Sequence, residues 1–550
     1  MAISLKQFKD PVYGYVDIDD IFLPLVDSAE FQRLRNIRQT GYQSLYPSAL
    51  HNRFVHSIGV FYLGGKAFSC FWKNVCEENI SEFRSISWEK YKQSFLLACL
   101  LHDVGHSPFS HTGENYYKKS TDFIEEFKKC FPDNPNFYSD IKSNTGKPHE
   151  AMSALVGIQM VRKAQIPNID EELFVRSIIG AKYVDSDNNH LIENTIIEML
   201  NGSLIDVDKL DYLLRDAYAT GFNTMVLDVD RLFAGYTIVK YVDASSTSRY
   251  VAAYKRGSLS VIENVTFAND LERHWIQSNP TICYDVKLIQ QSIELYDEYM
   301  VTHYSDKLDN EKSIFTKTAL SPTGYQEKGI PLRLLCDDDI ICFLKNIAEN
   351  SNIRNQFFDR SSRLKPLWKS ESEFRHLETE LIGQGIRRSF KNELKAIKDN
   401  IFFINAEALA SINEELDLQN QAFSSTNEQI KNVAKNAINA QKRILKVFHI
   451  FENFATEKNL DFDFAFIYVE NHYESNYIKL ERSNIYIRFA PNRVIPLKDV
   501  LAVRGVEPTE DEKSGYYFLY TTKKNIKRIE GDRENPAEEI MSYISKHWEA

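Results

Sequence analysis

A short segment that is apolar on every side ends in two ionisable residues. Residues Ser94–Leu101 read Ser-Phe-Leu-Leu-Ala-Cys-Leu-Leu, and His102 and Asp103 follow directly. A helix without a polar face has to be buried, and Gly105 and Pro108 then break the helical pattern. Burying a histidine and an aspartate costs free energy unless they are paired or bound to a metal. The segment therefore predicts a helical domain whose central helix ends at a polar site.

Two further motifs carry similar side chains. Residues 51–56 read His-Asn-Arg-Phe-Val-His, and residues 206–212 read Asp-Val-Asp-Lys-Leu-Asp-Tyr. Asp208, Tyr212 and Asp216 are spaced by four, so on a helix they share one face. A structural helix could show this stripe as a solvated face, but the His-Asp pair upstream favours a binding site.

The motifs together supply two imidazoles and two carboxylates. This ligand set suits a divalent metal and leaves coordination positions open for water and a phosphate oxygen. A lone His-Asp pair is weak evidence, because a histidine at a helix end also suits the helix dipole. The additional histidines within the next ten residues favour a metal site that hydrolyses phosphate esters. The predicted metal ligands are His56, His102, Asp103 and Asp208. Mg, Mn, Fe and Zn all remain open.

Composition excludes several classes of protein. A chain of 550 residues that is 43% hydrophobic can bury one large domain and a smaller one. The net charge of −11 gives no general attraction to a nucleic-acid backbone, which argues against a nucleic-acid partner. The seven cysteines include no C-x-x-C pair and are typical of reduced intracellular thiols. With no apolar run of membrane-spanning length, we expect a cytoplasmic protein.

The chain is predicted to be mainly α. Residues 1–300 are expected to form the helical core, 301–455 a helical extension used in oligomer contacts, and 456–550 a smaller α+β lobe. Asp27 begins a possible capping box, and residues 116–145 have the composition of an insertion or lid. The expected elements are helices at 53–72, 340–348 and 537–547, a hairpin of 236–242 with 249–253, and strands at 462–470, 477–480, 485–489 and 516–520.

The motifs also carry a family resemblance. Residues 31–39, 51–59, 101–111 and 205–212 resemble the HD-domain deoxynucleoside triphosphate triphosphohydrolases, most strongly the catalytic core of vertebrate members that also carry a SAM domain. The resemblance runs from about Lys9 to Tyr284 and returns at 490–495. It implies an HD phosphohydrolase core that converts deoxynucleoside triphosphates to deoxynucleoside and triphosphate. Control of nucleotide pools and antiviral or antiphage defence both fit this activity.

The resemblance implies roles for individual side chains. Four residues would act beside the scissile phosphate: His106, His111, Glu114 and His149. An imidazole titrates near neutral pH, so His111 could protonate the leaving oxygen. Arg53, Lys209 and Tyr212 would hold the triphosphate, Gln39 and Asp216 the sugar 3′-hydroxyl, and Tyr284 would pack near the nucleoside. Glu114 departs from the vertebrate members, which have Asp there.

A regulatory site is also implied. Asp27, Gln32 and Arg35 match residues that bind the base of an activating nucleotide, and Arg493 matches a C-terminal contribution to that site. The resemblance implies a homo-oligomer, with a tetramer favoured and the nucleotide bound between subunits. In the alternative account Asp27 caps a helix, while Gln32 and Arg35 are ordinary surface residues.

Two other functions remain open. An HD phosphodiesterase or nuclease acting on a signalling nucleotide or a nucleic-acid end would use the same metal ligands. A nucleotide-sensing scaffold would keep the site for binding alone. Identification of the reaction products distinguishes a triphosphohydrolase from the phosphodiesterase or nuclease. Metal-dependent turnover distinguishes an enzyme from the nucleotide-sensing scaffold.

Overall fold

The structure is a computed structural model with two compact units. The first contains Met1–Ile276, Ile289–Glu349 and Glu474–Gly505, and the second contains Gln277–Leu288, Asn350–Tyr473 and Val506–Ala550. The division of the chain into 1–300, 301–455 and 456–550 stays a prediction. The described residues are 5–78, 80, 83, 87–142, 144–184, 190–222, 226–242, 248–309, 311–348, 351–381, 384–397, 402–424, 428–469, 485–491, 493–500, 515–532 and 534–548.

The mainly α prediction is confirmed, because helices dominate the described part of the chain. None of these described helices is both long and apolar enough to cross a membrane. The helices are α1 Leu23–Val26, α2 Ala29–Gln32, α3 Arg53–Glu77, α4 Trp88–Leu101, α5 Tyr117–Ser120, α6 Phe123–Cys130, α7 Pro135–Ile141, α8 Pro148–Lys163, α9 Glu171–Ile179, α10 Leu191–Leu200, α11 Val207–Thr220, α12 Val229–Ala234, α13 Leu259–Glu272, α14 Pro280–His303, α15 Lys317–Leu320, α16 Asp337–Asn346, α17 Asn352–Phe358, α18 Glu371–Leu381, α19 Gln384–Ile397, α20 Ala406–Phe423, α21 Glu428–Glu457, α22 Leu497–Val500, α23 Lys523–Gly531 and α24 Pro536–His547.

The strands of the described part of the chain form three small sheets. In the first unit, β1 pairs with β2, and a second sheet has the order β3-β4-β8-β9. The second unit contains a sheet of order β5-β10-β7-β6. The strands are β1 Leu5–Asp10, β2 Gly14–Asp19, β3 Tyr236–Val242, β4 Ser248–Lys255, β5 Lys365–Pro366, β6 Phe403–Asn405, β7 Asp463–Val469, β8 Tyr486–Ala490, β9 Arg493–Pro496 and β10 Tyr516–Thr521.

The C-terminal strands divide between the two sheets of four strands. β8 lies parallel to β4, with Ala253 opposite Tyr486, and so extends the sheet of the first unit. β7 and β10 pair antiparallel in the second unit. Alternating polar and apolar residues indicate a strand but not its partner, and for this reason the division was not foreseen. The expected strand at 477–480 lies outside the described residues.

Helices α3 and α4 form the centre of the first unit. The side chain of Asn52 accepts a hydrogen bond from the Val55 backbone N–H and so caps α3. The two helices approach closely at Gly64, where an added Cβ would lie 2.6 Å from the sulfur of Cys99. From Gln93 to Leu101 every residue of α4 is buried. The central buried helix predicted from the sequence is therefore confirmed.

The start of α2 differs from the expected capping box. Ser28 is the capping residue, and its Oγ accepts a hydrogen bond from the Phe31 N–H at 3.3 Å. Asp27 instead pairs with Lys6 of β1 at 2.8 Å. Aspartate and serine are similarly good caps, so the sequence alone does not choose between adjacent residues. The prediction that Asp27 caps this helix is wrong.

The second unit has its own core. Its sheet carries the aromatic side chains of Phe466 and Tyr517, which are 1% exposed or less. The ring of Trp368 is fully buried, and its Nε1 donates to the backbone oxygen of Tyr517 at 2.8 Å. Because a buried indole N–H needs an acceptor, this bond fixes the ring against the sheet.

Candidate metal centre and active site

Helices α3 and α11 bring a buried histidine and a carboxylate together. His56 lies on the first turn of α3 and is fully buried. Its Nε2 lies 3.0 Å from Oδ1 of Asp208, which stands on the first turn of α11. The side chain of Asp206 accepts a hydrogen bond from the Lys209 N–H and caps α11, so it fixes where that helix begins.

The end of α4 adds the other two predicted ligands. The Nε2 atoms of His102 and His56 are 3.3 Å apart. Asp103 contributes one oxygen 3.4 Å from Nε2 of His102 and the other 3.5 Å from Nε2 of His56. Nε2 of His102 also lies 3.7 Å from Oδ1 of Asp208. One ligand atom each of His56, His102 and Asp103 therefore lies within 4.8 Å of the others, and Asp208 approaches both imidazoles.

The orientation of both histidine rings fits a metal site. Nδ1 of His102 lies 2.9 Å from the backbone oxygen of Cys99, and Nδ1 of His56 lies 2.7 Å from Oδ2 of Asp211. Each Nδ1 is thereby assigned as a donor, which leaves Nε2 of each ring to face the carboxylates. Metal-bound histidines are held in this way, with the second nitrogen bonded to a carboxylate or a carbonyl. The residues present therefore fit a divalent cation.

The charges at this point favour a cation. Burial lowers the pKa of His56, but hydrogen bonds to Asp208 and Asp211 outweigh it and raise that pKa to about 10. Burial raises the pKa of Asp208, and hydrogen bonds from His102 and His56 bring it well below its usual value. Protons and metal ions compete for the same nitrogen lone pairs. The potential that holds a proton on His56 would thus also hold a divalent cation.

Arg53 links the predicted metal ligands to the predicted proton donor. Its Nη1 donates to Asp103 at 2.7 Å, and its Nε donates to the hydroxyl of Ser110 at 2.9 Å. Its Nη2 lies 3.4 Å from Nε2 of His111. Burial raises the pKa of Asp103, but the Arg53 guanidinium helps to hold it well below the usual range. Arg53 is 3% exposed, so it is fixed in place.

Three histidines and one carboxylate form a second cluster beside the first. The rings of His106 and His149 stack with centroids 4.2 Å apart, and the His111 ring lies 5.0 Å and 4.9 Å from them. Glu114 lies 3.2 Å from Nδ1 of His111 and is also hydrogen-bonded to Nδ1 of His149. Oδ1 of Asp103, 3.1 Å from Nε2 of His106, joins the clusters. The structure thus brings these four predicted residues together.

The members of this cluster differ in exposure. His106 is fully buried, and burial holds its pKa well below the usual value. The side chain of His111 is 59% exposed, whereas that of His149 is 7% exposed. A ring that is open on one face can reach a leaving group, so His111 is the best placed of the three to transfer a proton.

Two strained residues precede His111. Phe109 and Ser110 have φ values of 54° and 58°, in the left-handed region that side chains other than glycine seldom adopt. Asp337 holds this loop, because its Oδ1 accepts from the Phe109 N–H at 2.6 Å and its Oδ2 from the Arg38 N–H at 3.1 Å. The loop that carries His111 is therefore fixed by a carboxylate on a distant part of the chain.

The predicted sugar-binding residues meet around His51. The Nε2 of His51 lies 2.7 Å from Oδ1 of Asp216, and the two side chains are 8% and 3% exposed. The backbone N–H of Gln39 donates to the backbone oxygen of His51 at 3.1 Å. Within the described residues, Nδ1 of His51 and Oε1 of Gln39 are buried without a hydrogen-bond partner. Such atoms are available to a bound polar ligand.

The other predicted substrate residues occupy separate surroundings. The ammonium group of Lys209 pairs with Asp206 and donates to the backbone oxygen of Gly202 at 2.7 Å. Tyr212 lies on the same helix, and its hydroxyl is 3.5 Å from Oδ1 of Asn269. Tyr284 belongs to the second unit, where it is 3% exposed and hydrogen-bonded to Gln356. Their substrate roles stay predictions.

Three of the four predicted activator-binding residues are neighbours. Gln32 donates to the backbone oxygen of Val26 at 2.8 Å and accepts from Nε of Arg35 at 2.8 Å. The Arg35 guanidinium stacks over the ring of Phe54 at 3.6 Å. The fourth, Arg493, begins β9, and its guanidinium lies 5.5 Å from the Phe489 ring. Their binding of a nucleotide also stays a prediction.

Sequence reasoning missed the residues that hold the site together. Asp211 and Arg215 are buried, and with Asp208 they occupy positions i, i+3 and i+7 of α11. That spacing of charges among leucines could have shown a second polar face. Arg33 was also missed. It donates to the backbone oxygens of Val104 and His106 at 2.8 Å each, and no short-range sequence pattern predicts such bonds.

Comparisons with known proteins support the resemblance. The chain is 34% identical to the uncharacterized protein MG461 of Mycoplasma genitalium over 265 residues, 47% of this chain and 52% of that protein. It is 31% identical over 233 residues to the deoxynucleoside triphosphate triphosphohydrolase SAMHD1 homolog of Dictyostelium discoideum, covering 42% and 39% of the two chains. With SAMHD1 of Danio rerio the identity is 31% over 224 residues, 40% and 34% of the chains.

The resemblance to deoxynucleoside triphosphate triphosphohydrolases is thus confirmed over about 40% of the chain. The chain spans about half the length of the first of these relatives and less of the others. No family model matches the sequence. Among solved structures, a hypothetical protein from Aquifex aeolicus shares the fold with a TM-score of 0.50 at 19% identity, over 98% of this chain and 100% of that one.

Proposed function

We propose that this protein is a metal-dependent hydrolase that converts deoxynucleoside triphosphates to deoxynucleosides and triphosphate. The observation that carries the proposal is the convergence of two histidines and two aspartates beside a second cluster of three histidines and Glu114. The relatives named deoxynucleoside triphosphate triphosphohydrolase support the choice of substrate. The metal would be held by His56, His102, Asp103 and Asp208, and Mg, Mn, Fe and Zn all fit the chemistry of these donors.

When bound, a divalent cation supplies Lewis acidity toward a phosphate oxygen and lowers the pKa of a coordinated water. The remaining work belongs to the side chains. Arg53 and Lys209 neutralise the charge that develops on the phosphates. To do so, Lys209 gives up its ion pair with Asp206 and contacts the substrate instead. A water molecule forms the new bond to the α-phosphorus and releases its proton to solvent, while His111, protonated on both ring nitrogens, gives its Nε2 proton to the 5′-oxygen as the bond from that oxygen to phosphorus breaks. Glu114 orients that ring through Nδ1, which leaves Nε2 toward the leaving group.

The nucleoside would be held away from the phosphates. Asp216 would accept a hydrogen bond from the sugar 3′-hydroxyl, and Gln39 would donate one to it. Both residues lie next to His51, whose Nδ1 is buried without a partner among the described residues. Tyr212 lies one helical turn from Asp216 on α11 and would crowd a 2′-hydroxyl, which favours deoxynucleotides. Tyr284 would pack against the base. A polar site of this kind penalises a sugar that leaves its buried groups unpaired.

Regulation and setting complete the proposal. The protein acts in the cytoplasm as a homo-oligomer, with a tetramer favoured, and a nucleotide bound between subunits by Asp27, Gln32, Arg35 and Arg493 activates it. Nucleotide-pool control and antiviral or antiphage defence are the two roles that fit the activity. Arg493 lies more than 450 residues from the other three matched positions, which favours a shared ligand over four unrelated surface residues.

The test is product identification with purified protein. The protein is incubated with each deoxynucleoside triphosphate, singly and in pairs, and with GTP, in the presence of each candidate metal. We expect deoxynucleoside and triphosphate, with a higher specificity constant for dGTP than for GTP. Asp103→Ala should abolish turnover, while Asp17→Asn on the exposed face of β2 should behave as wild type. Monophosphate and pyrophosphate as products would instead identify another class of HD hydrolase.

A further inference from the structure

A buried chain of charges connects the N-terminal hairpin of β1 and β2 to helix α11. Arg215 is 2% exposed and Asp10 is 3% exposed. Nη1 of Arg215 donates to Oδ2 of Asp10 at 2.8 Å. The same guanidinium donates through Nε and Nη2 to the two oxygens of Asp211, at 2.8 and 3.0 Å. One arginine thus joins two buried carboxylates from distant parts of the chain.

Asp211, which Arg215 holds in place, also contacts the predicted metal ligand His56. Its Oδ2 faces Nδ1 of His56 at 2.7 Å, and its Oδ1 accepts from the hydroxyl of Tyr13 at 2.8 Å. With the two bonds from Arg215, the carboxylate makes four hydrogen bonds to three residues. A carboxylate has about four lone-pair sites, so the orientation of Asp211, and with it that of the His56 ring, is fully determined.

The hairpin turn is shaped by the same residues. Oδ1 of Asp10 accepts from the backbone N–H groups of Val12 and Tyr13 at 2.8 and 3.0 Å. Gly14 follows with a φ of +84°, which only glycine adopts readily. The ring of Tyr13 stacks on that of Tyr62 in α3, with centroids 5.0 Å apart. Asp10 therefore aims Tyr13 into the space between α3 and α11.

Helix α3 leaves no room for this network to move. A Cβ added at Gly59 would lie 1.9 Å from Oδ1 of Asp211 and 2.3 Å from Nη2 of Arg215. Gly59 lies three residues after His56, on the same side of α3. The close approach of the ion pair to the helix requires glycine, and it brings Asp211 within reach of the imidazole.

We propose that the N-terminal hairpin is a working part of the metal centre, in which Asp10 and Tyr13 are positioning residues for His56. They act through Asp211, and the inference rests on the proposed function only in requiring a metal at His56. Burying these charges is costly, and well-packed apolar residues would stabilise the fold at least as well. The network instead orients a predicted metal ligand, because a carboxylate bonded to Nδ1 of His56 fixes the ring with Nε2 toward the metal.

The test measures how fast metal leaves the protein. Wild type, Asp10→Asn and Tyr13→Phe are loaded with the same metal, and release into excess chelator is followed together with metal content. We expect release to be roughly three- to tenfold faster in both variants, less than the about 10–100-fold loss of affinity when a direct outer partner of a metal ligand is removed, because Asp10 and Tyr13 act through Asp211. The matched control is Asp17→Asn, on the exposed face of the same hairpin, which should release metal at the wild-type rate.

A double-mutant cycle separates positioning from general stability. Asp211→Asn alone should also speed metal release, and adding Tyr13→Phe to it should change the rate little further, because both act on one path. Tyr13→Phe removes a single oxygen, so it decides the question if Asp10→Asn does not fold. Wild-type release rates in the folded variants overturn the proposal, as does a wild-type chain that binds no metal. A protein that shows these effects but cleaves no deoxynucleotide contradicts the proposed reaction and leaves the role of the hairpin standing.

Discussion

In His51, His56 and His102, whose side chains are at most 8% exposed, a hydrogen bond holds one ring nitrogen and the other faces a candidate ligand site. In His56 and His102 the held atom is Nδ1, bonded to Asp211 and to the Cys99 carbonyl. In His51 it is Nε2, which is bonded to Asp216, and Nδ1 is left over. The tautomer of a histidine follows from the hydrogen bond that its other nitrogen makes. The surrounding residues therefore determine what each ring can bind.

His51 is expected to affect substrate binding without affecting the metal. In His51→Ala the buried carboxylate of Asp216 loses its partner, and a hydrogen bond to a charged group is worth about 1.5–3 kcal/mol. We expect the specificity constant for the deoxynucleotide to fall about tenfold or more, mainly through KM. His51→Gln keeps an N–H donor and should recover much of this loss. Steady-state kinetics with metal analysis checks the prediction, and an equal loss of bound metal would count against it.

Asp337 is expected to give the first unit a characteristic dependence on pH. Burial raises its pKa from 3.8 to about 6, and the hydrogen bonds from Phe109 and Arg38 only partly oppose this. Because the pKa is raised in the folded state, the stability that protonated Asp337 contributes is fully present below about pH 4. That contribution is lost as the pH rises through about 6. The shift corresponds to about 3 kcal/mol.

The variant Asp337→Asn removes that titration. Urea unfolding from pH 4 to pH 7 should show the stability of Asp337→Asn rising relative to wild type, with most of the change between pH 4 and 6. Other carboxylates titrate in the same range, but they cancel when the two proteins are compared at each pH. If the free energies of unfolding of wild type and Asp337→Asn change with pH in parallel, the pKa of Asp337 is not raised in the folded protein.

At the scale of elements, β8 is expected to stabilise the first unit. Ile487 is fully buried in β8, opposite Tyr254 of β4. Ile487→Ala should destabilise this sheet by about 2–5 kcal/mol, because it leaves a cavity. Hydrogen exchange should then speed up in β3 and β4 but not in β7 and β10. Val494→Ala, at a partly exposed position of β9, is the milder control, and an equal effect of both would contradict the argument.

Elements whose pattern is local could be predicted from the sequence. The buried helix α4, the hairpin of β3 and β4, and α11 follow from apolar runs, alternation and spacing by four. The four predicted metal ligands, each in a short motif at the end or start of a helix, lie close together in the structure, and their binding of a metal stays a prediction. The pairing of β8 with β4 and the bonds from Asp337 to Phe109 depend on residues far apart in the chain. Short-range periodicity contains no information about such partners.

At the scale of the whole molecule, the predicted site residues are distributed over the two units. The four predicted metal ligands lie in the first unit, whereas Tyr284 lies in the second. The predicted activator residues belong to the first unit, with Arg493 in its late segment. An activating nucleotide shared between subunits would couple their assembly to turnover, because a ligand stabilises whichever state binds it better.

Arg35 is the residue that tests this coupling. Arg35→Ala removes a guanidinium that stacks on Phe54 and bonds to Gln32, while the metal ligands stay in place. We expect metal content and basal turnover to remain near wild type, and nucleotide-stimulated turnover and assembly to be lost. Kinetics and light scattering with and without each nucleotide measure both effects. A wild-type response to every nucleotide mixture would place the activating site elsewhere.

The first unit consists of three stretches of the chain, Met1–Ile276, Ile289–Glu349 and Glu474–Gly505, so the ribosome makes the last of them well after the others. Roughly 230 residues lie between the paired positions of β4 and β8, and translating them takes roughly 10–50 s at about 5–20 residues per second. During that interval the outer edge of β4 has no partner, and an open strand edge is a template for joining other chains. All four predicted metal ligands, the last of them Asp208, have already emerged by then. A nascent chain can therefore bring the four predicted ligands together before β8 exists to cover the edge of β4, an interval in which a chaperone would protect that edge.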